Sequence, residues 1–472
     1  MKTDVMSKID VLRRQLDPSL LVEDPQALLR YTHDWSGDYV GRAGLVVRPR
    51  NTKEVADVVR ICADQALALV PQGGHTGLVG GATPSPSGEE IVISLERLNK
   101  VRDVDRTNYS MTVEAGCVLA DIQEAALAED RFFPLALGAQ GSCQIGGNIA
   151  TNAGGLNVLR YGMMRDLVLG VEVVLADGSI LNGLHGLRKN NMGVDLKHLF
   201  LGSEGTLGIV TAAVLKLFPR PTQTVTAFLA VDNVEAAMDI YSRARSELSD
   251  LLSAFELLPR SGVELALETV VGLRDPLSSP SPYYVLLEAA ASGRANLSQM
   301  TESFLEELVS TGTIADGTVA ANQAQSRSFW RIREAMVEGQ VRYGRHLRTD
   351  ISVPISLIPR FIEEADILIA KRAPDAIPLR YGHVGDGNIH YNVLPPRNLQ
   401  DTEVQSYLDM CEETIFEVVD RFGGSLSAEH GIGISKQEAF LARTSENHLN
   451  LLLGIKSIFD PAQILSPGRL VR

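Results

Sequence analysis

The sequence predicts a mixed helix-and-strand protein of two or three domains, built to cradle a large anionic ligand. Three observations carry this. The chain has 472 residues, 45% of them hydrophobic, which is enough for more than one core. A strand, a helix and a second strand follow one another between Leu45 and Val70. Three glycine-rich runs then crowd the first half, and none has G-x-G-x-x-G or G-x-x-x-x-G-K-[ST] spacing, so neither a Rossmann dinucleotide fold nor a P-loop is expected.

Met1 to Arg30 reads as short amphipathic helix rather than a targeting peptide, though a transit peptide is the alternative. Leu45-Val46-Val47 is a strand, and Asn51-Thr52-Lys53-Glu54 has the form of a capping box. Val55, Val58, Val59, Cys62 and Ala66 give the following helix one apolar face, and Leu67 to Val70 is the next strand. That strand empties into the first glycine run, Pro71, Gln72, Gly73, Gly74, His75, Thr76 and Gly77, which Gly80-Gly81 continues. Backbone N–H groups exposed by such a loop suit a phosphate; a plain surface turn is the alternative. The second run extends from Leu137 to Gly155 and includes Gly138, Gly141, Ser142, Ile145, Gly146, Gly147, Asn148, Thr151, Asn152 and Gly154. Small residues over that length let backbone approach a large flat ligand. The third, Gly202 to Gly208 with Glu204 inside it, ends in a strand through Ile209 and Val210. Together the runs point to a pyrophosphate-bearing cofactor.

The second half holds a different chemistry. Arg380 to Asn392 and Ser427 to Gly431 contain His383, His390 and His430, three of the nine histidines, together with Glu429. Two imidazoles and a carboxylate are a familiar set for a catalytic divalent metal, and the third imidazole would be left to move a proton. Asn388 to Val393 reads as a strand, so His390 and Asn392 share a face. The same residues also suit two histidines structurally satisfied beside a turn, and spacing alone leaves both readings open.

Net charge is −14 with no basic cluster, so nucleic acid and anionic membrane surfaces are poor partners. Four scattered cysteines without C-x-x-C suit a reducing, cytoplasmic setting. No apolar run nears the roughly 18 residues of a membrane span.

With these motifs in their order, the chain from about Tyr31 onward resembles the FAD-linked D-2-hydroxy acid dehydrogenases, which include the D-2-hydroxyglutarate and D-lactate enzymes. The glycine runs are similar to the FAD-binding domain of vanillyl-alcohol oxidase and p-cresol methylhydroxylase relatives. The resemblance implies an α+β architecture: an N-terminal helical segment (1–36), a two-subdomain FAD-binding domain (37–219), a substrate and metal domain on an antiparallel sheet (220–425), and a C-terminal segment (426–472) returning to the flavin. It implies pyrophosphate contacts from Pro71 and Gly73 to Gly77, ribityl and isoalloxazine contacts from Gly138 to Gly155, and further cofactor contacts from Tyr161, Gly162, Glu204, Gly208, Ile209 and Val210. His383, His390 and Glu429 match the metal ligands, usually zinc. Asn392 and His430 match residues beside the reacting carbon, with His430 as base. Arg333, ending the motif Trp330-Arg331-Ile332-Arg333, and Arg348 match cations for substrate carboxylates.

The implied reaction is oxidation of D-2-hydroxyglutarate to 2-oxoglutarate by hydride transfer to flavin N5, with D-lactate or glycolate as the alternative substrate. An external acceptor such as an electron-transfer flavoprotein or quinone, and a homodimer, are implied partners. Two departures bear on this. His75 stands where the hydroxyglutarate enzymes often carry Asn; in wider relatives a histidine in such a loop bonds covalently to the flavin, but the closer subfamily holds FAD non-covalently. Val337 stands where a Thr is usual, which removes one hydrogen bond to the distal group. Rival classes are a zinc hydrolase using the same ligands and a non-catalytic flavin redox protein; flavin bands, and their bleaching by a D-2-hydroxy acid, separate them.

Overall fold

A computed structural model describes residues 2–471, with side chains described from residue 5. Met1 and Arg472, the outer ends of the expected first and last segments, lie outside the described residues. The chain divides into two compact units: Met1–Gly154 with Gly162–Arg220 and Glu429–Arg472, and Gly155–Tyr161 with Pro221–Ala428.

The first unit is built on two sheets. In the smaller, Leu45–Val47 and Leu69–Gln72 are not neighbours: Ile91–Ser94 lies between them, parallel to both, and Leu21–Val22 closes the other edge antiparallel. The connecting helix Thr52–Gln65 begins where Asn51 accepts the Glu54 N–H, and ends at Ala66 in the left-handed region. Glu54 turns back to the Arg50 N–H instead of the Asn51 N–H, so the expected capping box is made one residue early. Of the predicted face, Val55, Val58, Val59 and Cys62 are fully buried and pack with Ile9 and Leu12 of the helix Lys2–Gln15, whereas Ala66 lies past the last turn as the cap and is exposed. The N-terminal segment is thus part of this core, not an appendage. The second sheet is antiparallel throughout, in the order Val101–Asp105, Ser110–Glu114, Ile209–Lys216, Val168–Val174, Ile180–Asn182.

The end of the chain is tied into the same unit. Leu465 pairs with Leu69, and buried Lys456 donates to Asp460 and to the carbonyls of Thr206 and Leu465. Arg469 is buried, with Glu90 as its ion-pair partner and the carbonyls of Gly81, Thr83 and Pro467 as further acceptors. A cation removed from water needs this many acceptors, because burial without them costs several kcal/mol, about the effective penalty per ion.

The second unit centres on an antiparallel sheet ordered Leu252–Pro259, Tyr283–Ala291, Gln223–Val231, Asp316–Val319. The long helix Gln323–Tyr343 lays Phe329, Ile332 and Met336 against Phe228, Leu258 and Tyr284 of that sheet. A second, three-stranded sheet runs Ile351–Ser352, Asn388–Leu394, Ile377–Tyr381. The two sheets touch where Leu257 and Gly382 exchange backbone hydrogen bonds, and that junction positions the histidines. Among the described residues no helix is long and apolar enough to cross a membrane.

Candidate active site

In the first unit, glycine runs far apart in sequence come face to face. The position a Cβ would take on Gly73 lies 3.4 Å from the Gln144 side chain and 3.6 Å from the Gly147 nitrogen. On Gly74 it would strike the Ser142 carbonyl, so only glycine permits the approach. At Gly77, Gly138, Gly141 and Gly147 a Cβ would meet nothing within 4 Å. The amides of residues 73–77 take no part in the backbone hydrogen-bond network. Beside them, buried Gln144 Oε1 and Asn148 Oδ1 have no hydrogen-bond partner within the protein. Buried polar atoms are almost always paired, so a lined recess with unmatched acceptors and amides fits a bound group carrying phosphates and hydroxyls. FAD fits this recess by the chemistry of its donor set.

Other residues expected at the cofactor also make contacts within the protein. Glu204 directs both carboxylate oxygens to backbone, accepting from Ile432 N (2.8 Å) and Gly433 N (2.7 Å). Burial raises its pKa, against the lowering effect of those bonds and of Lys436. A Cβ on Gly208 would lie 3.1 Å from the Phe200 ring and strain against Val173 and Val174, while Ile209 and Val210 are buried in the sheet. Packing by itself already requires glycine at position 208. Thr151 and Asn152 are engaged locally, by the Gly147 carbonyl and the Arg165 N–H. Gly154 and Tyr161 are buried, and Gly155 and Gly162 turn the chain between the units' segments with φ of +110° and +79°.

His75 sits in the left-handed region at φ +56°. Both ring nitrogens are occupied: Nδ1 lies 3.1 Å from the Arg30 carbonyl, and Nε2 lies 3.0 Å from Thr83 Oγ1. A neutral imidazole donating to the carbonyl and accepting from the hydroxyl satisfies both, and burial pushes its pKa down in the same sense.

In the second unit, His383 follows the strand Ile377–Tyr381 through Gly382, whose φ of +145° and closeness to the Asn388 carbonyl (2.8 Å from a Cβ) require glycine. His390 lies on Asn388–Leu394 opposite Tyr381, and Asn392 opposite Leu379. The imidazole rings of His383 and His390 are 5.7 Å apart and nearly perpendicular. His383 Nδ1 bonds to Glu256 Oε1, and His390 Nδ1 lies 3.3 Å from the Thr349 carbonyl. In each ring an acceptor on Nδ1 selects the tautomer with its lone pair on Nε2, as histidine metal ligands require. Glu429, the third expected ligand, directly follows Ala428 and opens the last segment of the first unit. The donor set fits a divalent metal.

The Arg333 guanidinium stacks 4.7 Å over the Tyr381 ring, and the charges of Arg333 and Arg348 both oppose the rise in the Tyr381 pKa that burial causes. Arg333 Nε is held 2.8 Å from Glu256 Oε2. Asn392, expected beside the substrate, gives both amide hydrogens to protein, at Gln340 Oε1 (2.7 Å) and Tyr381 Oη (3.0 Å), and accepts from Thr349 N. Both of its amide hydrogens are thus engaged within the protein.

Two carboxylates escaped the sequence reading. Glu256 is fully buried in Leu252–Pro259; burial would raise its pKa, but the charges of His383 and Arg333 and their hydrogen bonds outweigh this and hold it at about 2. Its signal was a lone acid in a strand whose other residues are apolar apart from Ser253. Asp350, also fully buried, accepts from Asn388 Nδ2 and from the Ala428 N–H, so it ties Asn388 to the approach to Glu429.

Comparison with known proteins identifies the family. Residues 43–183 match the family described as FAD binding domain, and 220–470 the family described as FAD linked oxidases, C-terminal domain. The chain is 39% identical to the probable mitochondrial D-2-hydroxyglutarate dehydrogenase of Oryza sativa subsp. japonica, over 97% of its own length and 80% of the relative's. It is 38% identical to the mitochondrial D-2-hydroxyglutarate dehydrogenase of Danio rerio (96% and 83%) and 38% identical to the D-2-hydroxyglutarate dehydrogenase of Xanthomonas citri pv. viticola (97% and 95%). A crystal structure of p-cresol methylhydroxylase with substrate bound superposes with a TM-score of 0.78 over 100% of this chain and 98% of that one, at 14% identity, and so speaks for the fold alone. By these matches, and with FAD-binding and C-terminal oxidase regions in the same order, the chain belongs to the FAD-linked oxidases and, within them, to the D-2-hydroxyglutarate dehydrogenase family.

Proposed function

We propose that this protein oxidises D-2-hydroxyglutarate to 2-oxoglutarate with non-covalently held FAD and a divalent metal, zinc by the donor set. The observation that carries the substrate is Arg333 stacked on Tyr381, whose ring lies 5.1 Å from that of His390, with the charge of Arg348 also felt at Tyr381, in a chain whose relatives bear that substrate's name. Bound FAD would supply the acceptor for the hydride from C2, at N5. A metal held by His383, His390 and Glu429 would supply Lewis acidity toward the α-hydroxyl and its neighbouring carboxylate. His430 would take the hydroxyl proton onto a ring nitrogen as C2 loses its hydride, so the substrate leaves one proton and one hydride behind and departs as the 2-oxo acid. Arg348 would meet the distal carboxylate, its planar fork matching two oxygens at once. His75, with both nitrogens occupied, supports the non-covalent reading, since attack on a flavin methyl needs a nitrogen lone pair.

A second reading, D-lactate or glycolate, draws on Val337, one turn beyond Arg333 on the same helix, which offers no hydrogen bond to a distal group. The same proposal includes an external acceptor such as an electron-transfer flavoprotein or quinone, a homodimer and a cytoplasmic setting; four unpaired, buried cysteines support a reducing compartment.

The test is anaerobic bleaching of the flavin bands. D-2-hydroxyglutarate should bleach them faster than D-lactate at equal concentration, and chelation should abolish turnover while leaving the oxidised spectrum intact. Faster bleaching by D-lactate would reverse the substrate assignment, and full activity without stoichiometric metal would remove the metal from it.

A further inference from the structure

We infer that Glu256 is a positioning residue that sets the candidate metal ligand His383 and the candidate substrate cation Arg333 with one carboxylate; this rests on the metal-dependent reading above. Glu256 lies in the middle of Leu252–Pro259, a strand whose every residue is buried. An isolated carboxylate there would be strongly disfavoured, and its two oxygens are divided between two partners. Oε1 bonds to His383 Nδ1, and Oε2 accepts from Arg333 Nε at 2.8 Å.

The partners come from three separate elements: the sheet strand, the turn after Ile377–Tyr381, and the helix Gln323–Tyr343. The next residue, Leu257, exchanges backbone hydrogen bonds with Gly382, so strand and turn are locked together one position from both the acid and the imidazole. The register therefore leaves the Glu256 carboxylate little freedom to follow a displaced His383. A merely structural ion pair would need Arg333 alone. The second oxygen on an imidazole fixes a tautomer, and His390 obtains the same tautomer from the Thr349 carbonyl. Both rings thus turn the same nitrogen, Nε2, away from their protein acceptor. Anchoring Arg333 through Nε also fixes the plane of its guanidinium over Tyr381. Because one group serves both, disturbing it should alter metal affinity and substrate affinity together.

The experiment compares FAD-loaded wild type with Glu256→Gln and Glu256→Asp. Zinc affinity is read by competition with a chromogenic chelator, and KM is measured for D-2-hydroxyglutarate and D-lactate. Loss of an acceptor behind a metal-bound histidine typically weakens metal binding by about 10–100-fold, which is the expectation for Glu256→Gln, with FAD content unchanged. KM for D-2-hydroxyglutarate should rise in the same variant. Glu256→Asp keeps the charge and so protects folding, but retracts the carboxylate; its zinc affinity should fall between the two. Zinc affinity within about twofold of wild type in Glu256→Asp, or in a folded Glu256→Gln with only a lowered melting temperature, overturns the inference, because a simple structural pair predicts that. Wild type that binds no zinc overturns the metal reading itself, a distinct result.

Discussion

Replacing Glu204 with Gln should loosen the segment that follows His430 while leaving the rest of the first unit folded. Glu204 is the acceptor for the backbone N–H groups of Ile432 and Gly433, at 2.8 and 2.7 Å, and Gly431 packs directly on its carboxylate. A hydrogen bond from N–H to a charged acceptor contributes about 1.5–3 kcal/mol. Gln keeps one neutral acceptor and turns its NH2 toward the second N–H, so the local loss is about 2–4 kcal/mol. At about 1.4 kcal/mol per factor of ten, amide exchange in residues 431–436 should speed up by at least 30-fold in deuterium-exchange mass spectrometry. Global stability should change less. Burial raises the Glu204 pKa, so its ionised form already sits at a cost that a neutral amide relieves. The sign follows: a carboxyl raised in the folded state lends stability below its unfolded pKa and loses it as pH rises through the folded value. The melting temperature of wild type relative to Glu204→Gln should therefore decline as pH rises above about 4.5, the ordinary glutamate value. On the proposed role of His430, only two residues before Ile432, kcat should fall by about 10–100-fold, the effect of misplacing such a group by about an ångström. Unchanged exchange in 431–436 would refute the reasoning, whatever happened to kcat.

Arg469→Met should leave Glu90 buried without its cation and destabilise the protein by about 3–5 kcal/mol, the usual cost of breaking one side of such a pair. Because Arg469 also holds the carbonyls of Gly81 and Thr83, FAD should dissociate more readily, as seen by fluorescence of released flavin on dilution. His75→Asn tolerates the same left-handed backbone but cannot titrate. Burial depresses the His75 pKa, so wild type should lose melting temperature relative to this variant as pH falls below the ordinary imidazole value, and the two should run parallel above it. Acid precipitation of wild type should release the flavin into the supernatant. Arg348→Ala should lower kcat/KM for D-2-hydroxyglutarate by about 30-fold or more, the effect of about 2 kcal/mol from a lost charge pair in a desolvated site, and leave D-lactate nearly unchanged in a side-by-side assay.

What the sequence disclosed follows the range of the interactions involved. The face Val55, Val58, Val59 and Cys62 was legible because helical periodicity is local, and the shared side of His390 and Asn392 because strand alternation is. The glycine runs announced a recess, yet composition could not separate glycines facing open space, such as Gly138 and Gly147, from Gly208, which packing requires. Strand order was not legible either: Ile91–Ser94 enters between Leu45–Val47 and Leu69–Gln72 because pairing is chosen among all available edges, not by chain order. Glu204, Glu256 and Asp350 were least legible in role. Each finds its partners far along the chain, Glu204 at Ile432, Glu256 at His383 and Asp350 at Ala428, and no local rule links such positions.

These distant carboxylates change what the two arginines can each do. Arg333 and Arg348 look equivalent as cations for a dicarboxylate while only the sequence is considered. In the fold, Arg333 already faces the full negative charge of Glu256, which has its pKa held at about 2 and stays ionised through the physiological range. Its net attraction for a second carboxylate is reduced accordingly, and its orientation matters more than its charge. Arg348 lies in the partly exposed stretch between buried Leu347 and Thr349, with its charge felt at Tyr381. In the proposed reading Arg348 is the residue assigned to the distal carboxylate, and Arg333 the one whose orientation matters. Truncating Arg333 instead leaves Glu256 with one buried oxygen unpaired and disturbs His383 through the other, so its loss should lower stability, metal affinity and activity toward every D-2-hydroxy acid alike. The two substitutions should differ in kind: Arg348→Ala changes the ratio of D-2-hydroxyglutarate to D-lactate turnover, whereas Arg333→Ala lowers both and leaves the ratio nearly as it was. A ratio that shifts more with Arg333→Ala than with Arg348→Ala would show that Glu256 does not neutralise its partner.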